Sequence, residues 1–218
     1  MLEINKIHQG DCMNIMKDLE NDSVDLVITD PPYGIRAGED WDKYDYFIKN
    51  LHSWINECLR VSKYGVIWFC SDNRLCEILK GHEDVFHRIL LWNKPEGSQY
   101  CGSIHNKLWY SSENIIVFMK NKDLLNKGKE SKYGYSVFVS RPVNFNDFKH
   151  PTSKPEKLMR WLIEHYSNKG DLILDPFAGS GSTLVAAQQL NRRFIGIELN
   201  PEYINTINKR LIQKTLLT

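Results

Sequence analysis

The sequence predicts a single α/β domain in which apolar strands deliver polar turns to one edge of an open sheet. Its 218 residues fit one such domain with room for a small insertion. β-branched apolar runs alternate with stretches of helical spacing, the pattern of strands wrapped by helices. Three of those runs end in an acid: Asp30, Asp175 and Glu198. In open α/β sheets the carboxyl ends of the strands are where ligands bind.

Composition narrows the function classes. A formal net charge of +1 means that any nucleic-acid site is a local patch, not a global field. The five cysteines (Cys12, Cys58, Cys70, Cys76, Cys101) are scattered and lack C-x-x-C spacing. That argues against a disulfide framework or a metal site and for a reducing, cytoplasmic compartment. Met1 to Lys6 has no long apolar core, so no signal peptide is expected, and no run approaches the length of a membrane span.

In chain order, Lys6 to Asp11 reads as a short strand with a Gly-Asp turn, and Asp11 as the N-cap of a helix over Cys12 to Leu19. Val24 to Thr29 is a buried strand running into Asp30-Pro31-Pro32-Tyr33. The two prolines fix φ and remove two backbone donors, so this turn is stiff and presents carbonyl oxygens. Asp30 is an acceptor and Tyr33 a flat stacking face, a pairing that suits a planar ring bearing an exocyclic NH2. Residues 34–42 are a polar loop and a candidate lid. Lys43 to Leu59 carries one apolar stripe, hence a core-facing helix.

Gly65 to Cys70 is the next strand, and Ser71-Asp72-Asn73 opens a helix over Arg74 to Leu79. His87 to Pro95 and Asn114 to Lys120 are two further strands. The long loop between them, Glu96 to Ser112, carries Tyr100, His105, Lys107, Trp109 and Tyr110, and its length marks it as functional. Residues 121–149 show no clear period. From Lys120 to Lys149 there are seven Lys or Arg against three Asp or Glu, with aromatics interleaved. That mixture fits a nucleic-acid surface, with Lys127, Lys129 and Lys132 as contacts alongside Lys107, although a solvated excursion has the same composition.

Ser153 to Glu156 matches the capping-box spacing and starts a helix running to about Ser167. Its free N–H groups and Lys154 could receive an anion. Asp171 to Asp175 is a strand that enters a glycine turn, Pro176-Phe177-Ala178-Gly179-Ser180-Gly181-Ser182-Thr183, and then an Ala-rich helix. The turn matches a dinucleotide fingerprint only in part, because Leu184 stands where a third glycine would be. Arg193 to Glu198 is the following strand, ending where such folds grip a ribose diol. Asn200-Pro201 opens the last helix, which turns Tyr203, Ile204, Ile207 and Leu211 inward.

Taken together, Asp30-Pro31-Pro32-Tyr33, the 175–183 glycine turn, Gly10-Asp11 and His150-Pro151-Thr152-Ser153-Lys154-Pro155 resemble the exocyclic-amino DNA methyltransferases. The order, catalytic turn first and glycine turn last, is similar to the β group of that family. The resemblance spans nearly all of residues 1–218 as one domain, with 121–149 where that group carries a target-recognition segment. It implies a doubly wound, mostly parallel sheet of seven strands, Rossmann-like, whose last two form an antiparallel edge pair. The strand ending at Asp175 would sit beside the one ending at Asp30.

The same resemblance implies S-adenosylmethionine as cofactor. Asp11 and the Cys12 backbone would meet its adenine, Glu198 its ribose, and Ser153 and Lys154 its carboxylate. Phe177 would pack on it, Asp175 would orient the turn, and Asp30, Gly179, Gly181, Ser182 and Thr183 would border it. No metal is implied. Double-stranded DNA is the implied substrate, with a homodimer and a cognate restriction endonuclease as further partners in a prokaryotic or phage-infected cytosol. Asp30 and the Pro31 carbonyl would accept the two N–H bonds of a flipped-out amine, and Tyr33 would stack on the base through its ring alone. Adenine N6 is the leading target because the family pairs Asp at this position more often with adenine and Ser with cytosine. Cytosine N4 is the nearest alternative, and an inactive DNA-binding partner subunit is one of another class.

Overall fold

A strand such as β2 (Val24–Thr29), apolar at almost every position, needs cover on both faces. The computed structural model describes residues 2–34, 43–95, 111–120, 136–143 and 153–215, and within them that cover is complete. One sheet runs in the order β1 (Lys6–Gln9), β8 (Arg193–Glu198), β7 (Leu172–Asp175), β2, β3 (Ser62–Cys70), β5 (Ser112–Met119), β4 (Phe86–Asn93), β6 (Val137–Val139). Helices α1 (Cys12–Met16), α2 (Tyr44–Val61) and α3 (Leu75–Leu79) pack Met16, Phe47, Trp54, Cys58 and Ile78 on one face. Helices α4 (Glu156–Tyr166), α5 (Ser182–Gln189) and α6 (Pro201–Thr215) pack Leu158, Leu162, Leu184 and Ile207 on the other.

The doubly wound parallel sheet is as expected, but it has eight strands, not seven. β5 runs antiparallel to both β3 and β4, and β6 adds to β4 in parallel, so the antiparallel pair is not the edge. β6 is three residues of the stretch expected to hold the target-recognition segment; with so few residues no alternation can be seen in the sequence. The rest of 121–149 outside 136–143 lies beyond the described residues, as do 35–42 and 96–110. β3 begins at Ser62, directly at the end of α2 with no linker, because Ser62 pairs with Val24 of β2.

A second correction concerns α4. Its N-cap is Pro155, which has no capping side chain, so Ser153 and Glu156 do not stand at the N-cap and N3 positions that a capping box needs. The proline biases Lys154 toward an extended backbone, which delays the helix and leaves Ser153 two residues short of the cap. Asp11, by contrast, does cap α1: its Oδ1 accepts from Asn14 N at 3.0 Å.

β2 and β7 lie side by side in parallel, with Leu26 and Val27 opposite Ile173 and Leu174. Their ends are tied by the buried carboxylate of Asp175. Its Oδ1 accepts from Thr29 Oγ1 at 3.0 Å and from Phe177 N at 3.2 Å, and Thr183 also donates to it. Burial pushes Asp175 from its ordinary 3.8 up to about 7, despite these three bonds. A carboxyl raised on folding favours the native state below its unfolded value, and that contribution is lost as pH rises toward 7. Asp175→Asn keeps an acceptor and never ionises. Urea unfolding from pH 4 to 8 should therefore show the variant gaining on the parent by on the order of 2–4 kcal/mol across that range. Parallel curves would mean that Asp175 is not held protonated by the fold.

Candidate active site

The stiff turn after β2 brings Asp30 and Tyr33 against three side chains from other elements. Tyr33 Oη donates to Asp30 Oδ1 and lies 2.9 Å from Glu113 Oε1 on β5. Lys154, just before α4, donates to Asp30 Oδ2 at 2.5 Å and sits 3.0 Å from Glu113 Oε1. Lys94, just after β4, donates to Glu113 Oε2 at 2.8 Å. The outside of the turn is braced as well: Arg74 Nε donates to the Tyr33 carbonyl at 3.0 Å, and its guanidinium lies over the Tyr44 ring at 4.4 Å.

Two carboxylates and two ammoniums balance in charge, and their acidities follow from the distances. Burial pushes Asp30 up, with Lys154 pulling against it and Glu113 adding to it. Glu113 is more deeply buried, yet Lys154 and Lys94 together outweigh the desolvation and hold it down at about 2. The two acids differ because Glu113 has two ammonium partners and Asp30 one. Burial lowers Lys154, but its two carboxylate partners more than restore it, so it stays charged. Tyr33 is raised well above its ordinary range by burial and by both acids, and keeps its proton. One hydroxyl proton between two carboxylates can be given to only one of them at a time. The Tyr33 hydroxyl is thus engaged by both acids, a contact that the expected role for its ring alone did not include.

The glycine turn lies beside this cluster, at the end of β7. Gly179 and Gly181 take φ values of +52 and +80. A Cβ on Gly181 would lie 2.8 Å from Cγ2 of Ile207, so what requires glycine there is the packing of α6 as much as any ligand. Ser182 and Thr183 are buried at the start of α5. Glu198 accepts from Gly179 N on Oε2 and from Asn200 N on Oε1, both at 2.8 Å. Leu199 N–H also reaches this carboxylate, so three backbone donors orient it and acceptor capacity for about one hydroxyl is left. The Phe177 ring meets Trp54 edge-on at 5.1 Å, and Trp54 in turn meets Tyr46 at 5.8 Å. Cys12 is buried, with its thiol pushed up to about 12, so only its backbone suits a contact role.

Asp30, Pro31, Pro32, Tyr33, Asp175, Phe177, Gly179, Gly181, Ser182, Thr183, Glu198, Asp11 and Cys12 all come to the carboxyl edge of the sheet or the turns beyond it. Lys154 comes there too, but its ammonium is engaged by Asp30 and Glu113 instead of standing at a bare helix start. Lys107, Lys127, Lys129 and Lys132 lie outside the described residues. Glu113, Lys94 and Arg74 were not among the expected site residues. The available signal for Glu113 was its place in a strand: it alternates with Ile115, Val117 and Met119, so an acid occupies an inward position.

Comparison with known proteins agrees with this geometry. Residues 24–209 match the model of the N6/N4 DNA methylases. M1.MboII, a type II methyltransferase of Moraxella bovis, is 31% identical over 255 residues, covering 95% of this chain and 96% of its own length. M.HinfI of Haemophilus influenzae, also a type II methyltransferase, is 30% identical over 245 residues, covering 95% of this chain and 68% of its own. The crystal structure of an M1.HpyAVI–SAM complex superposes with a TM-score of 0.74 at 32% identity, over 94% of this chain and 98% of the other. A family match across most of the sheet, a relative of nearly equal span and the Asp30–Tyr33 turn beside a glycine turn lead to one statement: the chain belongs to the N6/N4 DNA methylase family.

Proposed function

We propose that this chain methylates the N6 amine of adenine in double-stranded DNA, using S-adenosylmethionine. The observation that carries the reading is the contact between the two turns: Thr29, the residue before Asp30, donates to Asp175 at the head of the glycine turn at 3.0 Å. That bond sets a base-binding turn and a nucleoside-binding turn side by side. Support for the cofactor comes from the Glu198 carboxylate, oriented by backbone N–H groups at the end of β8, and from the similarity to M1.HpyAVI, whose structure is a SAM complex. Support for adenine is Asp, not Ser, at position 30.

Bound S-adenosylmethionine supplies an electrophilic methyl group. Glu198 holds the ribose hydroxyls, Gly179 and Gly181 let the backbone approach, Phe177 packs on the cofactor, and Asp11 with the Cys12 backbone meets its adenine. Ser153 and the first turn of α4 face its carboxylate. The exocyclic amine is a poor nucleophile because its lone pair is delocalised into the ring. Asp30 and the Pro31 carbonyl accept its two N–H bonds, which favours the pyramidal geometry as the nitrogen gains positive charge. Tyr33 offers its ring to the flipped base. Lys107, Lys127, Lys129 and Lys132 contact phosphates in this reading. The short recognition segment favours a homodimer that shares the reading of the site, and the type II relatives make a cognate restriction endonuclease and a bacterial cytoplasm the natural setting.

Sequencing of modified bases in DNA from cells expressing the chain should reveal N6-methyladenine at one short site; N4-methylcytosine instead would move the chemistry to the other base. In single-turnover methylation of that site, Asp30→Ala should lose roughly 10²–10⁴-fold in rate with cofactor affinity kept. Tyr33→Phe should lose about ten-fold, the value of one hydrogen bond to a charged acceptor. Asp30→Ala at the parent rate would make this turn a scaffold only.

Assembly is tested by light scattering at working concentration, where a dimer is expected; a fully active monomer would refute it. Replacing Lys127, Lys129 and Lys132 together by Ala should weaken DNA binding and flatten its salt dependence by about two to three phosphate contacts. An unchanged slope would show that these lysines are merely solvated.

A further inference from the structure

Four charged side chains converge beside the catalytic turn, three of them buried and Asp30 partly so, and the reaction proposed above uses Asp30 directly. Asp30 ends β2, Glu113 lies on β5, Lys94 follows β4 and Lys154 precedes α4, so four separate segments converge. The Lys154 side chain is 8% exposed, those of Lys94 and Glu113 10% each. Burying such a cluster is a poor way to gain stability, because desolvation offsets most of the Coulomb attraction and an apolar replacement is often as stable. Its position points to a different use.

We propose that Lys154, anchored by Glu113 and Lys94, is a positioning residue for methyl transfer that keeps Asp30 an oriented anion. The inference rests on the reading of Asp30 as the acceptor of the amine. In a dry site, an isolated carboxyl takes up a proton, and a protonated Asp30 would present a donor where an acceptor is needed. Lys154 prevents this by holding Oδ2 at 2.5 Å. Glu113 holds Lys154 in place at 3.0 Å, and Lys94 stabilises Glu113 from the far side at 2.8 Å. The Tyr33 hydroxyl takes Oδ1, which orients the carboxylate plane.

Of the other groups facing Asp30, the neutral Tyr33 hydroxyl also favours the anion, while the rest act against it or are uncharged. Glu113 repels it across the cluster, Asp175 stands beyond it on β7, and the Cys70 thiol on β3 is raised and uncharged. Lys154 is the cation in direct contact with Asp30 among the described residues. Removing the charge of Lys154, and removing the charge of Glu113 while keeping its Oε1 as an acceptor for Lys154, therefore change the acidity of Asp30 in opposite directions. A merely structural role for either residue has no such signature.

The test is the pH profile of the single-turnover methylation rate, with DNA and S-adenosylmethionine saturating, alongside calorimetry of cofactor binding. Lys154→Gln should move the acid limb to higher pH, so that the rate at a given pH on that limb falls by about 10- to 100-fold. Cofactor affinity should stay within about two-fold, and the rate should recover at alkaline pH. Glu113→Gln, which keeps shape and removes the repelling charge, should move the acid limb to lower pH. If Lys154→Gln does not fold, the direction found for Glu113→Gln decides the matter. An unmoved limb in either folded variant, or shifts in the same direction, overturns the proposal. So does a loss in Lys154→Gln confined to cofactor affinity, which would assign the ammonium to the cofactor carboxylate. Failure of the parent chain to methylate an exocyclic amine is a separate outcome: it removes the underlying reading before any variant is compared.

Discussion

The parallel pairing of β2 with β7 is the constraint on which the rest depends. Strand order reverses here: β8 and β1 lie beyond β7, while β3, β5 and β4 lie beyond β2. The connections therefore leave in opposite directions and open a crevice at the carboxyl ends, where open α/β sheets bind ligands. Both turns fall at that crevice, one from each strand. The ordered separation of the two turns comes from a hydrogen bond between residues 146 positions apart, Thr29 and Asp175, and not from loop contacts. Because Asp175 is buried and almost closed to solvent, that bond is made in a low-dielectric setting, where it is stronger and more directional than at a surface.

The same crevice departs from the chemistry of the sheet that builds it. β5 is apolar at 115–119, and its neighbours β3 and β4 supply Phe69 and Trp92 to the core. Glu113 breaks that pattern, and the fold accommodates it by bringing two lysines from chain segments just outside regular elements. Lys94 and Lys154 also lie over the Trp92 and Phe69 rings, at 4.5 and 5.1 Å. Their stems and charges are thus held by aromatic faces as well as by carboxylates. A local violation of patterning, fully compensated in charge and placed at the ligand edge, is what a working site looks like when its rules are set by chemistry and not by stability.

How far the sequence was legible follows from how local each signal is. β2, β7 and β8 read clearly because their apolar runs are long and β-branched and each ends in an acid. The glycine turn read clearly because positive φ restricts the residue type at Gly179 and Gly181. β6 did not, since Val137–Val139 has strand geometry only through pairing with Leu91–Asn93. The cap of α4 was misread because Ser153 and Glu156 have the right spacing but Pro155 shifts the helix start. Glu113 and Lys94 were missed for a deeper reason: neither has meaning until two strands and a loop are superposed, and no window of sequence contains the pair with Asp30. The Tyr33 hydroxyl is the same case, since its partner Glu113 lies 80 positions away.

The order of the motifs along the chain has a structural consequence. The Asp30–Tyr33 turn belongs to the first part of the sequence and the glycine turn to the last, yet the sheet sets them side by side. β1, the first strand, pairs with β8, the last, in parallel from Lys6 opposite Ile195 to Gln9 opposite Glu198. Asn5 seals that edge, its N donating to the Phe194 carbonyl at 2.6 Å and its side chain accepting from Phe194 N at 3.1 Å. Gly10 N then donates to the Glu198 carbonyl at 3.1 Å, which fixes the Asp11 turn against the acid at the end of β8. The glycine-turn half of the crevice is therefore assembled from β1 together with β7 and β8. It cannot form until those C-terminal strands have docked on β1, and such non-local pairing carries the loop-closure cost that makes folding slow. The half built around Asp30 to Tyr33 has no such dependence on β1, because β2 and β3 are joined by a single helix and pair directly. What completes it is Lys154, which precedes α4, so the charged cluster closes only as the C-terminal half of the chain is added.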